Sequence, residues 1–151
     1  MENFVSTKVI EMGSCAFRQW RATSHCHLLH GYHLTAKFWF TSDELDHRNW
    51  VFDFGDLDGL KKTLADMYDH TTCVAADDPE LDVFTDLHNK GIIDIRIFPN
   101  GVGIERTAEQ CWIIADSYVR SKSENKVRCL KVEVFEHPKN SAVFETKHNL
   151  S

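Results

Sequence analysis

The sequence predicts an α+β fold in a single domain, residues 1–151, and three observations carry that prediction. Two long runs near the start, Phe4 to Trp20 and Leu28 to Thr41, are rich in β-branched and aromatic residues and contain no proline, as strands require. Two later stretches, Leu57 to Met67 and Thr107 to Lys122, place apolar residues at helical intervals. Two further strand-like runs, Leu130 to Glu136 and Ser141 to Thr146, close the chain. A length of 151 residues is enough to bury a core without disulfides or metal as staples.

Each element has its own signal. The first strand should bulge at Gly13. After a loop from Arg21 to His27, the second strand alternates: Tyr32, Leu34, Ala36, Phe38 and Phe40 fall on one face and His33, Thr35, Lys37 and Trp39 on the other. His30 is in phase with the apolar face. Trp50-Val51-Phe52 leads into a helix that Asp53 or Asp56 can cap, and its stripe of Leu57, Leu60, Leu64 and Met67 should lie on the sheet. That helix runs out at Asp69-His70. Asp77-Asp78-Pro79-Glu80 starts a shorter helix with Leu81, Phe84 and Leu87 in phase, ending near Lys90-Gly91. Ile92 to Phe98 reads as a short strand and Pro99-Asn100-Gly101 as a turn. Thr107-Ala108-Glu109-Gln110 fits a capping box opening the next long helix. Leu130, Val132, Val134 and Glu136 then share one face of a late strand, and the residues after Thr146 read as a frayed tail.

Composition narrows the function. Hydrophobic residues make up 42% and charged residues 26%, which is ordinary for a soluble domain, and neither end shows a signal peptide, a lipid-anchor motif or a membrane-length apolar run. A cytoplasmic protein is expected. The five cysteines, Cys15, Cys26, Cys73, Cys111 and Cys129, are odd in number and form no Cys-x-x-Cys pair, so reduced thiols are expected rather than a disulfide framework or a thiolate zinc site. A net charge of −6 without a basic stripe argues against nucleic-acid binding, since Lys and Arg neutralising phosphate supply most of that affinity. Small molecules are the expected partners.

The stretch from Ser24 to His33 places one thiol and four imidazoles within ten residues. Imidazole titrates nearest neutrality and is the commonest metal ligand, and a thiol becomes a base or nucleophile once its thiolate is stabilised. Composition alone fits a solvated, His-rich loop equally well. Asp69-His70 reads either as a proton-moving pair or as a helix end whose dipole favours histidine. Glu136, a carboxylate at the end of an apolar row, calls for a hydrogen-bond-donating partner.

The motifs occur in a telling order: Cys-x-x-x-His-Gly at the second strand, Asp-Phe-x-x-Leu before the first long helix, Asp-His after it, Thr-Ala-Glu opening the second, and a late strand ending in Glu. Over nearly the whole chain this resembles the 6-pyruvoyl-tetrahydropterin synthase and 6-carboxytetrahydropterin synthase family. The resemblance implies the tunnelling fold, a four-stranded antiparallel sheet with two main helices packed on one face, assembled into trimers and then hexamers. It also implies a lyase acting on dihydroneopterin triphosphate, closest to the 6-carboxytetrahydropterin synthases of 7-deazaguanine (queuosine precursor) biosynthesis. By position Cys26, Asp69 and His70 match the family's proton-moving residues. Glu136 matches the pterin anchor, and Thr107 and Glu109, with Asp53 and Phe54, match the surrounding substrate-side and structural motifs. A carboxylate on a rigid strand can accept two parallel bonds from the amino and ring nitrogens of a pterin.

The family's cofactor is zinc held by three histidines, and here the pattern departs. His30 matches one ligand, while Phe17 and Tyr32 occupy the other two positions. Phenylalanine cannot bind zinc, and a catalytic zinc needs three protein ligands. His33 alternates to the other strand face and His25 and His27 lie on the loop, so a lost or weakened zinc site is favoured over a rebuilt one. The rival reading is a zinc-free relative that binds a pterin or purine without turnover or performs a different pterin reaction.

Overall fold

The structure, a computed structural model, describes residues 4–147; the tail beyond these lies outside the described residues. In chain order the elements are β1 (Phe4–Phe17), β2 (His30–Ser42), α1 (Asp58–Tyr68), β3 (Thr71–Ala75), α2 (Leu81–Asn89), β4 (Asp94–Phe98), α3 (Ile104–Lys122), β5 (Val127–His137) and β6 (Asn140–Glu145). They form one six-stranded sheet of order β4-β3-β1-β2-β5-β6. The expectation of four antiparallel strands and two main helices is therefore corrected, among the described residues, to six strands and three helices. The sheet is mixed, because β3 runs parallel to both β1 and β4 while the other neighbours are antiparallel.

β3 is the strand that alternation misses. Thr71, Thr72, Cys73, Val74 and Ala75 are all buried. A parallel strand covered on both faces carries no period of two, and five residues are too few to tell from the end of a helix. His70, at φ 57°, turns the chain from α1 straight into it.

β1 and β2 form the long central ladder, and the bulge falls at Gly13 as the sequence predicts: Glu11 faces Thr35 and Gly13 faces Leu34, leaving Met12 as the extra residue. The bulge shifts the phase of the strand. Ile10 and Met12 are buried before it, Cys15 and Phe17 after it. A second bulge, between the Lys131–Trp39 and Cys129–Phe40 pairs, does the same in β5, where Val127 and Cys129 give way to Val132 and Val134. The expected single face of Leu130, Val132, Val134 and Glu136 is thus broken at Leu130, which is only half-buried.

The predicted stripes form the core. Leu34, Ala36, Phe38 and Phe40 of β2 meet Leu60 and Leu64 of α1 and Ala108, Cys111, Ala115 and Val119 of α3 in one cluster, with Leu57 from the turn before α1. Burying each large side chain contributes about 1.5 to 3 kcal/mol. α3 starts at Ile104, one turn before the predicted capping box. The Thr107 hydroxyl is buried and donates back to the Gly103 carbonyl at 2.8 Å, so it caps nothing ahead of it. Gly103, at φ 116°, opens the helix instead. Asp53 does cap as expected, its Oδ1 accepting the Gly55 amide in the short turn before α1. Among the described residues no helix is long and apolar enough to cross a membrane.

One ion pair ties the end of β1 to the start of α2. Arg18 meets Asp78 at 2.6 Å, and the Asp78 side chain is only 2% exposed. The guanidinium holds the Asp78 carboxyl below the ordinary carboxylate range. A lowered folded-state pKa stabilises the fold above the unfolded value and stops doing so as pH falls through the folded one. Urea unfolding of the wild type should therefore weaken below about pH 4, and Asp78→Asn should flatten that acid slope. An equal slope in both proteins would show that the pair contributes nothing.

Candidate active site

The site lies where β1 ends and β2 begins. In the β1–β2 ladder Cys15 faces Tyr32 and Phe17 faces His30, so the three family zinc positions do come together. What they form is an aromatic stack. The rings of Phe17 and Tyr32 lie 4.1 Å apart and nearly parallel, at 8°, and the His30 ring sits 4.7 Å from that of Tyr32. Phe17 is buried while His30 is exposed.

Both nitrogens of His30 are engaged. Nδ1 lies 2.8 Å from the Leu28 carbonyl, which can only accept, so Nδ1 carries the proton. Nε2 is then the acceptor, and the Tyr32 hydroxyl donates to it at 2.6 Å. Burial first, and the nearby Glu136 carboxylate second, push the Tyr32 phenol above its ordinary value, with Cys26 adding to the same field. These three positions do not fit a zinc centre: one has no donor atom, one holds its proton more firmly than a free phenol, and the third has no spare lone pair. Among the described residues no three His, Cys, Asp or Glu side chains gather as a metal would need.

Cys26 sits on a single 3₁₀ turn, His25–His27, that connects the two strands. Ser24 caps the turn, its hydroxyl accepting the Cys26 amide at 3.3 Å. Cys26 is the exposed cysteine; Cys15, Cys73, Cys111 and Cys129 are buried. Burial raises the thiols of Cys111 and Cys129 well above their ordinary value, which leaves them inert. Glu136 is half-buried at the irregularity where Phe135 pairs with Ser141 and His137 with Asn140. Tyr32 thus lies between the Cys26 turn and the end of β5.

Asp69 and His70 stand on the opposite side of β1. The bulge at Gly13 frees the Ser14 amide, which donates to Asp69 Oδ1 at 3.0 Å, and the same oxygen lies 3.0 Å from His70 Nδ1. The Ser14 amide, followed by His70, holds the Asp69 carboxyl below its ordinary value. The carboxylate therefore stays ionised near neutrality and orients the His70 ring, whose side chain is 88% exposed. Among the described residues no hydrogen bond or ion pair links this pair to Cys26, His30 or Glu136. Glu109 is held by Arg106 at 2.9 Å, and the Thr107 hydroxyl faces inward. Gly13, at φ 90°, is required here, because a Cβ on it would stand 2.1 Å from Asp69 Oδ1. Gly13→Ala should cost about 1 to 3 kcal/mol in urea unfolding and dislodge Asp69 from the Ser14 amide. A loss too small to measure would mean that Asp69 swings aside freely.

Sequence reading missed two supports of this site: the bidentate Arg18–Asp78 pair, at 2.9 and 2.6 Å, and Gln19, whose side chain donates to the Val102 carbonyl at 2.8 Å. Neither carries a local signal, since the partners are 60 and 83 residues away.

The same architecture recurs in solved structures. WS1659, an uncharacterised protein of Wolinella succinogenes, superposes with a TM-score of 0.84 at 17% identity over 97% of this chain and 100% of its own. The 6-pyruvoyl tetrahydropterin synthase of Caenorhabditis elegans gives 0.64 at 18% identity over 97% and 98%. A catalytic-residue mutant of the Plasmodium vivax 6-pyruvoyltetrahydropterin synthase gives 0.67 at 13% over 95% and 98%. At such identities the likeness shows the fold. No curated protein matches by sequence. The family model for 6-pyruvoyl tetrahydropterin synthase, however, matches residues 8–147, a span holding Cys26, the Asp69–His70 pair and Glu136, and the chain belongs to that family.

Proposed function

We propose that the chain is a pterin lyase of the 6-carboxytetrahydropterin synthase type, taking dihydroneopterin triphosphate towards 7-deazaguanines in the cytoplasm and working without zinc. Family membership supports a pterin-related lyase. The observation that supports the finer reading is topological: the turn carrying Cys26 leads into the start of β2 at His30, and the antiparallel pairing of β2 with β5, which reaches Thr35–Phe135, brings Glu136 to the same end of the sheet. In this reading Glu136 accepts two bonds from the amino and ring nitrogens of the pterin. Cys26, as thiolate, removes a proton next to the imine-like carbon of the side chain, and His70, oriented by Asp69, exchanges protons with the substrate oxygens.

The test is incubation with dihydroneopterin triphosphate and chromatography of the products. Formation of 6-carboxytetrahydropterin, lost in Cys26→Ala and unaffected by chelator, is expected. Absence of any product from the folded protein would overturn the lyase reading. A second reading, a pterin binder without turnover, is favoured by one observation, the complete engagement of both His30 nitrogens. Recovery of bound, unaltered substrate would select it.

The chain should also work as a homotrimer or homohexamer. Only Cys15 and Ala16 of β1 pair with β3, so among the described residues the rest of that edge has no ladder partner. It borders a groove of about 520 Å³ lined by Phe4, Val5, Trp50 and Phe54, all exposed. Open edges of this kind invite pairing with another copy. A monomer at micromolar concentration in sedimentation would count against the assembly.

A further inference from the structure

We infer that Arg18 is a positioning residue whose guanidinium, fixed on buried Asp78, holds the turn that carries Cys26. The inference rests on the reading of Cys26 as the proton-moving thiol, but the geometry behind it is independent of any substrate.

Arg18 is the first residue after β1. Its Nε and Nη2 donate to the two oxygens of Asp78 at 2.9 and 2.6 Å, the fork that a carboxylate matches best. Asp78 is itself fixed, since its Oδ1 also accepts the Glu80 amide at 2.9 Å in the turn leading into α2. The remaining nitrogen, Nη1, donates to the His27 carbonyl at 3.3 Å. The neighbouring residue grips the preceding carbonyl: the Gln19 amide donates to Cys26 O at 2.8 Å. The carbonyls of Cys26 and His27 are thus held by consecutive residues at the end of β1. The Gln19 side chain in turn reaches Val102 O, packed where a Cβ on Gly103 would stand 2.3 Å from its Nε2.

Hydrogen bonds must do this holding because packing does not. Leu28 and Leu29 are 56% and 45% exposed, and the whole turn from Thr23 to His30 is open to solvent. An ion pair serving only to join β1 to α2 would be complete with two guanidinium nitrogens. The third spends its bond on the reactive turn.

Arg18→Lys tests this, since an ammonium keeps the charge on Asp78 but cannot span the carboxylate fork and the His27 carbonyl together. Amide exchange in a peptide covering residues 23–29 should rise about tenfold while the β1–β2 ladder stays protected. Folding is read in the same sample from the buried thiols of Cys15, Cys73, Cys111 and Cys129, which should resist iodoacetamide. If Arg18→Lys fails to fold, the double variant Arg18→Met with Asp78→Leu, which leaves no buried charge unpaired, takes its place with the same expectation. In a wild type that turns over dihydroneopterin triphosphate, the folded variant should lose about tenfold in kcat with KM within about twofold, the signature of a displaced reactive group. Unchanged exchange in the turn overturns the inference, and so does unchanged kcat beside a loosened turn. A wild type without turnover defeats the lyase reading alone, and the exchange result still decides the clamp.

Discussion

Replacing Phe17 and Tyr32 together by histidine should raise the zinc content of the purified protein from far below one atom per chain to about one, on the ordinary requirement of three protein ligands. The double change removes the stack of rings 4.1 Å apart, supplies two imidazoles, and frees His30 Nε2 from the Tyr32 hydroxyl 2.6 Å away. Each single variant should stay nearly metal-free, because two nitrogen ligands do not complete a tetrahedral site. Chelator should then lower the melting temperature of the double variant and leave the wild type unchanged, since a bound metal stabilises the native state by mass action. Stoichiometric zinc in the wild type, lost on mutation of His25, His27 or His33, would instead establish a rebuilt site and sink the metal-free proposal.

Glu136→Gln should weaken pterin binding by about 1.5 to 3 kcal/mol, the scale of a hydrogen bond to a charged acceptor, or roughly ten- to a hundredfold in Kd by calorimetry. The amide keeps the size and one acceptor oxygen but presents a donor to a ring nitrogen that also donates. Because Glu136 is half-buried and held by no salt bridge among the described residues, the variant should fold as the wild type does. Unchanged affinity would remove Glu136 as the anchor, and with it the main reason for placing the heterocycle at this end of the sheet.

The parts legible in the sequence are those with a local pattern. The alternation from Leu34 to Phe40 and the stripes of α1 and α3 needed only periodicity, and Gly13 marked its own bulge. The parts that were not legible depend on distant partners. β3 is a strand because β1 and β4 flank it, and nothing within Thr71–Ala75 says so. Thr107 matched a capping pattern, yet its hydroxyl turned back to Gly103 because the helix had already begun. At the site, sequence position brought Phe17, His30 and Tyr32 to one place. The consequence of that meeting, a stack whose Tyr32 hydroxyl occupies His30 Nε2 while the Leu28 carbonyl holds Nδ1, required the actual side-chain geometry.

β2 has no extra residue of its own, while each neighbouring strand carries one against it, beside Gly13 in β1 and at Leu130 in β5, where a further irregularity at Glu136 faces β6. A complete substitution scan should therefore record tolerance to polar residues as a square wave. That wave keeps its beat in β2 as far as Phe40, beyond which Thr41 and Ser42 are buried too, but skips one count in β1 and one count, at Leu130, in β5. Removing a single residue, Met12, would erase the skip and leave Cys15 opposite Tyr32 and Phe17 opposite His30 on the inner face, at the cost of one buried side chain and of the bulge beside which the Ser14 amide meets Asp69. For this chain, then, a one-residue gap against a relative without the bulge belongs at Met12, in the middle of β1, and alignments that slide it into the nearest loop would misplace the very residues that line the site.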